Sequence, residues 1–317
     1  MRTFVITLVL LAAASAQSHS RQPALGSPTA LPNQKSIVFW NMSRTSVIFL
    51  LKHVPQENPI RLAQLRQAYI DLQCPKSELR EQTFHGGTNL LSTLPAAPVS
   101  ANAARTNAAG PKTILFIANY LHEGAGQSVI DNWSGAIMLP FLYHALAATP
   151  RAHTFLFADV EGEAGAKALF DSLSPRQRNN ILGVVALDCL GLGPVQYYVS
   201  PFDSFDRPGQ NWLVHQLQQA AAYQHVDAPL PAIPGDWFKV DVTREFRYHS
   251  IPAVLLHSVA WKDRNLPGSI RDALASIDPN TYYQTFSRLA TYAVVLDSPW
   301  PSDSSELPSS GPFPRRR

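Results

Sequence analysis

The chain has 317 residues, 45% of them hydrophobic, enough for one substantial core and too few for two comfortable ones. Its formal net charge is +3, and the terminal run Arg315, Arg316, Arg317 accounts for all of it. Without a clustered basic face, a nucleic-acid surface is not expected.

Residues 1–16, MRTFVITLVLLAAASA, carry one positive charge, an apolar run from Phe4 to Ala13 and an Ala14-Ser15-Ala16 site. They read as a signal peptide for export, since the run is too short to span a bilayer. No later stretch reaches the length of a membrane helix, so no membrane span is expected after cleavage. Residues 17–35 and the basic segment 298–317 are rich in Ser, Pro, Gln or Arg and are expected to be disordered. Residues 36–297 then form a single α/β domain.

Inside that domain, Leu62, Leu65, Tyr69 and Leu72 make a helical stripe after Pro59. An Ala/Pro/Asn loop, 92–111, separates NLLSTL from TILFIA. TILFIAN (113–119), TFLFA (154–158), GVVALD (183–188), VQYYVS (195–200) and PAVLLHS (252–258) are short apolar runs. Such runs suit strands buried on both faces. Helical patterns alternate with them at 134–147, 165–173, 210–224 and through Tyr282, Phe286, Leu289, Ala293 and Leu296. The fold class is therefore α/β, a mostly parallel central sheet sandwiched by helices, with ligands expected at the carboxyl ends of the strands.

Acidic and imidazole groups collect at those ends. Asn119, His122 and Glu123 follow one strand, and Asp131 opens the 134–147 helix. Asp159, Glu161 and Glu163 follow the next, Asp188 ends a third, and His257 ends a fourth. Each has an ordinary structural reading beside the functional one: Asp131 as a helix cap, Asp188 as a turn residue. Cys74 and Cys189 are the only cysteines, and either a disulfide or buried free thiols fits them. HGG at 85–87 reads as a glycine turn, because the chain has no Gly-x-Ser-x-Gly elbow. Trp133, Trp212, Trp237 and Trp261 are either core residues or the lining of a cleft.

The blocks IANYLHEGAGQSVIDNWSGA, HTFLFADVEGEAGAKALF, GVVALDCLGLG and GSIRDALASIDPNTYYQTF, in this order, resemble the secreted zinc aminopeptidases. That family also includes glutaminyl cyclases and the protease-like domain of the transferrin receptor. The resemblance runs from about Arg61 to Asp297 and implies a phosphorylase/hydrolase-type three-layer sandwich. Full members are expected to hold two zinc ions bridged by an Asp, with His, Glu, Asp and His around them and a glutamate base.

Carried over residue by residue, the bridging Asp is Asp131 and a further ligand is Asp188. The first His position holds Asn119, and the Asp that would orient it is Leu121. The Glu pair falls on Glu163 and Ala164 when a short deletion is allowed, and on Asp159 and Val160 without it. The last His position holds Gly268, judged by Arg271 and Asp272. Two of five ligand positions remain, and catalytic zinc needs three protein ligands and an open position. The expectation is a degenerate member with zinc absent or weakly bound, Glu163 a remnant of the base, and a cleft that binds a peptide or small molecule. The alternative is a divergent, active aminopeptidase whose single ion is rebuilt through His122, Glu123 or His257. With the metal gone, Asp131 is expected to serve at the helix start. Asn119 is expected to hydrogen-bond to Asp131 or Asp188, with Arg244 or Lys262 nearby.

Overall fold

The computed structural model describes residues 42–97, 111–198, 208–229 and 241–297. The expected signal peptide, both tails, Trp237 and most of the 92–111 loop lie outside them.

Seven strands form one sheet: β1 (Leu79–Phe84), β2 (Gly87–Leu94), β3 (Thr113–Asn119), β4 (Thr154–Val160), β5 (Ile181–Leu187), β6 (Gln196–Tyr198) and β7 (Ala253–His257). Their order is β1-β2-β4-β3-β5-β7-β6. The central strands β4, β3, β5 and β7 are mutually parallel, while β1, β2 and β6 pair antiparallel at the two edges. The expected mostly parallel sheet is thus found at the centre. The HGG segment is its expected turn: Phe84 pairs with Gly87, and Gly86 has φ +101°.

The central strands are apolar on both sides because helices cover both sides. In β3, Ile114, Phe116 and Ala118 face one core while Leu115 and Ile117 face the other. Strand β5 alternates in the same way, with Val185 and Leu187 opposite Val184 and Ala186. The larger core is covered by α1 (Arg44–Lys52), α2 (Asn58–Asp71), α3 (Met138–Ala147), α6 (Pro208–Tyr223) and α8 (Pro279–Leu296). On the smaller core lie α4 (Gly162–Ser172) and the short α7 (Arg244–Tyr248). Helix α5 (Pro175–Asn180) buries no residue.

Helix α8 starts where Asp278 accepts the Thr281 N–H at 2.7 Å and Pro279 takes the first turn. Its predicted stripe, Tyr282, Phe286, Leu289, Ala293 and Leu296, is fully buried. In α2 the predicted Leu65 and Tyr69 are buried, and burial of Leu65 stabilises the fold by roughly 1.5–3 kcal/mol. Among the described residues, no helix is long and apolar enough to cross a membrane. Trp133 and Trp212 are core residues, so only Trp261 of the described tryptophans is exposed.

The parity that fills both cores also decides which strand-end side chains meet. Asn119, Asp188 and His257 share the parity of the residues facing the smaller core. Asp159 follows Phe155 and Phe157 into the larger core, on the opposite side of the sheet.

Candidate metal centre

Past β3 the chain runs through residues 120–128 into an irregular turn, Val129–Trp133, then a single helical turn, Ser134–Ala136, and α3. Asp131 (φ −70°, ψ 116°) and Asn132 (φ 77°, ψ −61°) are both non-helical. Asp131 therefore does not cap the helix, contrary to the sequence reading. The cap position belongs to Trp133, which offers no side-chain oxygen. Asp131 is carried instead on a loop that projects it over the strand ends.

Two carboxylates hold that loop. Asp272, fully buried, accepts Ile130 N–H on Oδ1 at 2.7 Å. Its Oδ2 accepts Asp131 N–H at 3.0 Å and Gly268 N–H at 2.9 Å. Asp188 Oδ1 accepts Asn132 N–H at 3.3 Å. Burial pushes the Asp188 carboxyl up to about 6, against the Asn132 and Cys189 hydrogen bonds that lower it. Burial, rather than repulsion from Asp131, is the main cause.

The counter-charge is Arg61 of α2, which the sequence reading did not single out. Its guanidinium donates to the carbonyls of Pro55, Tyr120 and Gln127 at 2.8, 3.1 and 2.7 Å. It also lies 5.5 Å from the centroid of the Trp133 ring. Burial lowers it to about 10, opposed by Asp272 and Asp131, so it stays charged at neutral pH. Arg244 is elsewhere, 3.5 Å from Glu163, and Lys262 is exposed in the 261–263 turn.

The expected bond from Asn119 to a carboxylate is not made. The Asn119 amide donates to Asn132 Oδ1 at 2.8 Å, and its own Oδ1 accepts Leu121 and Gly162 N–H at 3.0 and 2.9 Å. Asn132 passes the connection on, donating from its side chain to the Leu121 carbonyl at 2.8 Å. Asn119 is linked to Asp188 through Asn132, whose side chain accepts from Asn119 and whose backbone N–H donates to Asp188.

The other expected positions are dispersed. Glu163 and Ala164 are exposed on the first turn of α4. There Glu163 Oε1 accepts Asp241 N–H at 3.1 Å. The alternative pair fares no better: Asp159 is buried among the larger core's residues and Val160 is apolar. Gly268 has φ +68°, and its carbonyl packs against Gly124, where an added Cβ would lie 2.3 Å away. Of the alternative ligands, His122 turns its Nε2 onto the Gly126 carbonyl at 3.0 Å. His257 is fully buried, accepts Val259 N–H on Nδ1 at 3.1 Å, and is lowered by burial to about 3.

What does converge is Asp131, Asp188 and Cys189, whose donor atoms all lie within 4.8 Å of one another. The sequence reading placed the two aspartates together but treated Cys189 as a plain thiol or a disulfide half. Both cysteines are free and buried. Consecutive residues of a strand point to opposite sides, yet β5 ends at Leu187 and Cys189 is left-handed, φ 48°, so its thiol turns toward the same place as Asp188. The family's two-zinc set does not fit these residues, since Asn119, Ala164 and Gly268 supply no ligand. Two carboxylates and a thiol do match the donor chemistry of one thiophilic ion.

Neither a family model nor a curated protein matches the chain. Solved structures do. A glutaminyl cyclase from Fimbriiglobus ruber aligns with TM-score 0.61 and 14% identity, over 84% of this chain and 99% of that one. The Legionella pneumophila aminopeptidase LapA gives 0.56 and 13%, over 88% and 81%. A zinc aminopeptidase from Bacillus subtilis gives 0.53 and 15%, over 65% of this chain. The chain spans about half the length of that enzyme and of a similar Aneurinibacillus aminopeptidase, 49% and 47%. At these identities the likeness is one of fold: the chain has the α/β fold shared by zinc aminopeptidases and glutaminyl cyclases.

Proposed function

We propose that this is an exported protein of the zinc-peptidase fold that has lost two-zinc hydrolysis and works as a binding module. Its ligand, a peptide or a small molecule, would enter at the carboxyl ends of the central strands. One observation carries the reading. Among the described residues, the one group of three or more His, Cys, Asp or Glu placed to share an ion is Asp131, Asp188 and Cys189. It contains no imidazole and no glutamate base. Glu163, the remnant base position, is held at the surface against Arg244 and the Asp241 backbone. The remnant base therefore stands outside the cluster, away from a water bound to an ion there.

The second reading is a divergent single-ion hydrolase that removes amino-terminal residues. It is favoured by the third donor, because three protein ligands meet the minimum for catalytic zinc. Turnover separates the two. The chain expressed without its leader is assayed on aminoacyl-naphthylamides and on peptides with amino-terminal glutamine, with Asp131→Ala alongside. Turnover indistinguishable from the Asp131→Ala background supports the binding module. Turnover that disappears in Asp131→Ala establishes the hydrolase.

A further inference from the structure

The resemblance assigns ligand positions to Asp131 and Asp188 only, and the residues at the other positions have been absorbed into structure. Independently of that alignment, the fold brings a third donor to the same point. The Cys189 thiol is buried, and the two carboxylates beside it belong to half-buried residues. Donor atoms that share one zinc ion at about 2.0–2.3 Å stand no more than roughly 4.6 Å apart. The three donor atoms all lie within 4.8 Å of one another, close enough for small side-chain rotations to bring them onto one ion.

We infer that Asp131, Asp188 and Cys189 form a mononuclear site for zinc or a similarly thiophilic divalent cation, with Cys189 as a ligand in its own right. The thiol gives up its proton on binding, and the sulfur selects for zinc or cobalt over magnesium or calcium, which prefer all-oxygen sites. The charge balance suits a single ion. Two carboxylates and a thiolate offset its two positive charges, and the nearby Arg61 guanidinium offsets the remaining negative one. Asp272 and Asn132 act as positioning residues, holding the Asp131 loop through its backbone rather than touching the ion.

The inference rests on the reading of a dismantled two-ion centre but fails separately from it. The probes are Co2+ and Zn2+ added to the chelator-treated chain lacking its leader. Cobalt is expected to produce a thiolate-to-metal charge-transfer band in the near ultraviolet that saturates at one ion per chain. Cys189→Ser abolishes that band and weakens zinc binding at least about tenfold, the scale on which even outer-shell changes act. Cys74→Ser, which alters the other buried thiol, leaves both unchanged. Should Cys189→Ser fail to fold, Asp131→Asn serves in its place, with the same loss of zinc affinity and a weakened band. A folded parent chain with no charge-transfer band overturns the proposal, and so does a band that survives Cys189→Ser or a band and zinc affinity left unchanged by Asp131→Asn. Peptidase turnover would overturn the binding-module reading and leave this site standing. Absence of metal binding overturns this site alone.

Discussion

Asn119 and Asn132 are joined side chain to side chain, the Asn119 amide donating to Asn132 Oδ1 at 2.8 Å. Asn119 stands where a zinc-ligating imidazole is expected in a full member of the fold, and both ends of its side chain are engaged. An imidazole cannot accept from Leu121 N–H and Gly162 N–H while also donating to Asn132. Asn119→His is therefore expected to lower stability by about 2–4 kcal/mol, through two stranded backbone donors and an unmatched Asn132. It should raise neither zinc content nor turnover. Urea denaturation with zinc analysis checks this; a variant as stable as the parent that binds an additional zinc would show the position is still open.

Gly268, which the resemblance sets at the other imidazole position, is closed in by backbone rather than by a side chain. Gly268 lies in the left-handed region and its carbonyl packs on Gly124 and accepts Ala125 N–H at 3.3 Å. Gly268→Ala is expected to cost about 1–2 kcal/mol from the conformation alone. Gly268→His should cost at least as much and restore no ligand. Thermal denaturation of the two variants measures this, and an unchanged midpoint for either would argue against the closed loop.

Arg61 is a charge sealed inside the fold, balanced by Asp272 and Asp131 and anchored on loop carbonyls. Replacing it with an apolar residue of similar length removes those donors and the positive charge near Asp272 and Asp131. Arg61→Met is expected to destabilise by about 2–4 kcal/mol, from buried loop carbonyls left without a donor and the lost favourable charge. Arg61→Met with Asp272→Asn should cost less than the sum of the single changes. Additive costs in a double-mutant cycle would mean the two are not coupled.

Asp159 gives a pH signature. It is fully buried, and burial raises its pKa well above the ordinary carboxylate value, opposed by a hydrogen bond from the Tyr69 hydroxyl that lowers it. The folded chain then holds this proton more tightly than the unfolded chain. This contribution to stability is intact below the unfolded value of about 3.9 and declines as pH rises through the raised folded value. Asp159→Asn removes the decline, so it should gain on the parent by roughly 1–3 kcal/mol at neutral pH relative to acid pH. Denaturation midpoints at two pH values test this. A parent-to-variant difference that does not change with pH would contradict the burial argument.

The sequence disclosed the sheet centre because TILFIAN, GVVALD and PAVLLHS are buried on both faces, and it disclosed α8 because its stripe keeps a helical period. The edge strand β1, LREQTF, escaped notice because none of its residues is buried and so it carries no core signal. The meeting of Asp131 with Asp188 was legible only through the resemblance. Cys189 was missed for a conformational reason: alternation sends neighbours to opposite sides until a left-handed residue breaks it. Arg61 was missed because an arginine within a helical stripe reads as part of the wet face. Asp272 was used only to mark the alignment, and nothing local in the sequence says that its carboxylate ties two loops together.

Counting zinc ions by native mass spectrometry, on residues 17–317 saturated with zinc, bears most directly on the loss of the paired-metal centre. The expected result is one retained ion and no second. Two ions held per chain, both released in Asp131→Asn, would mean that a bridged pair still assembles there.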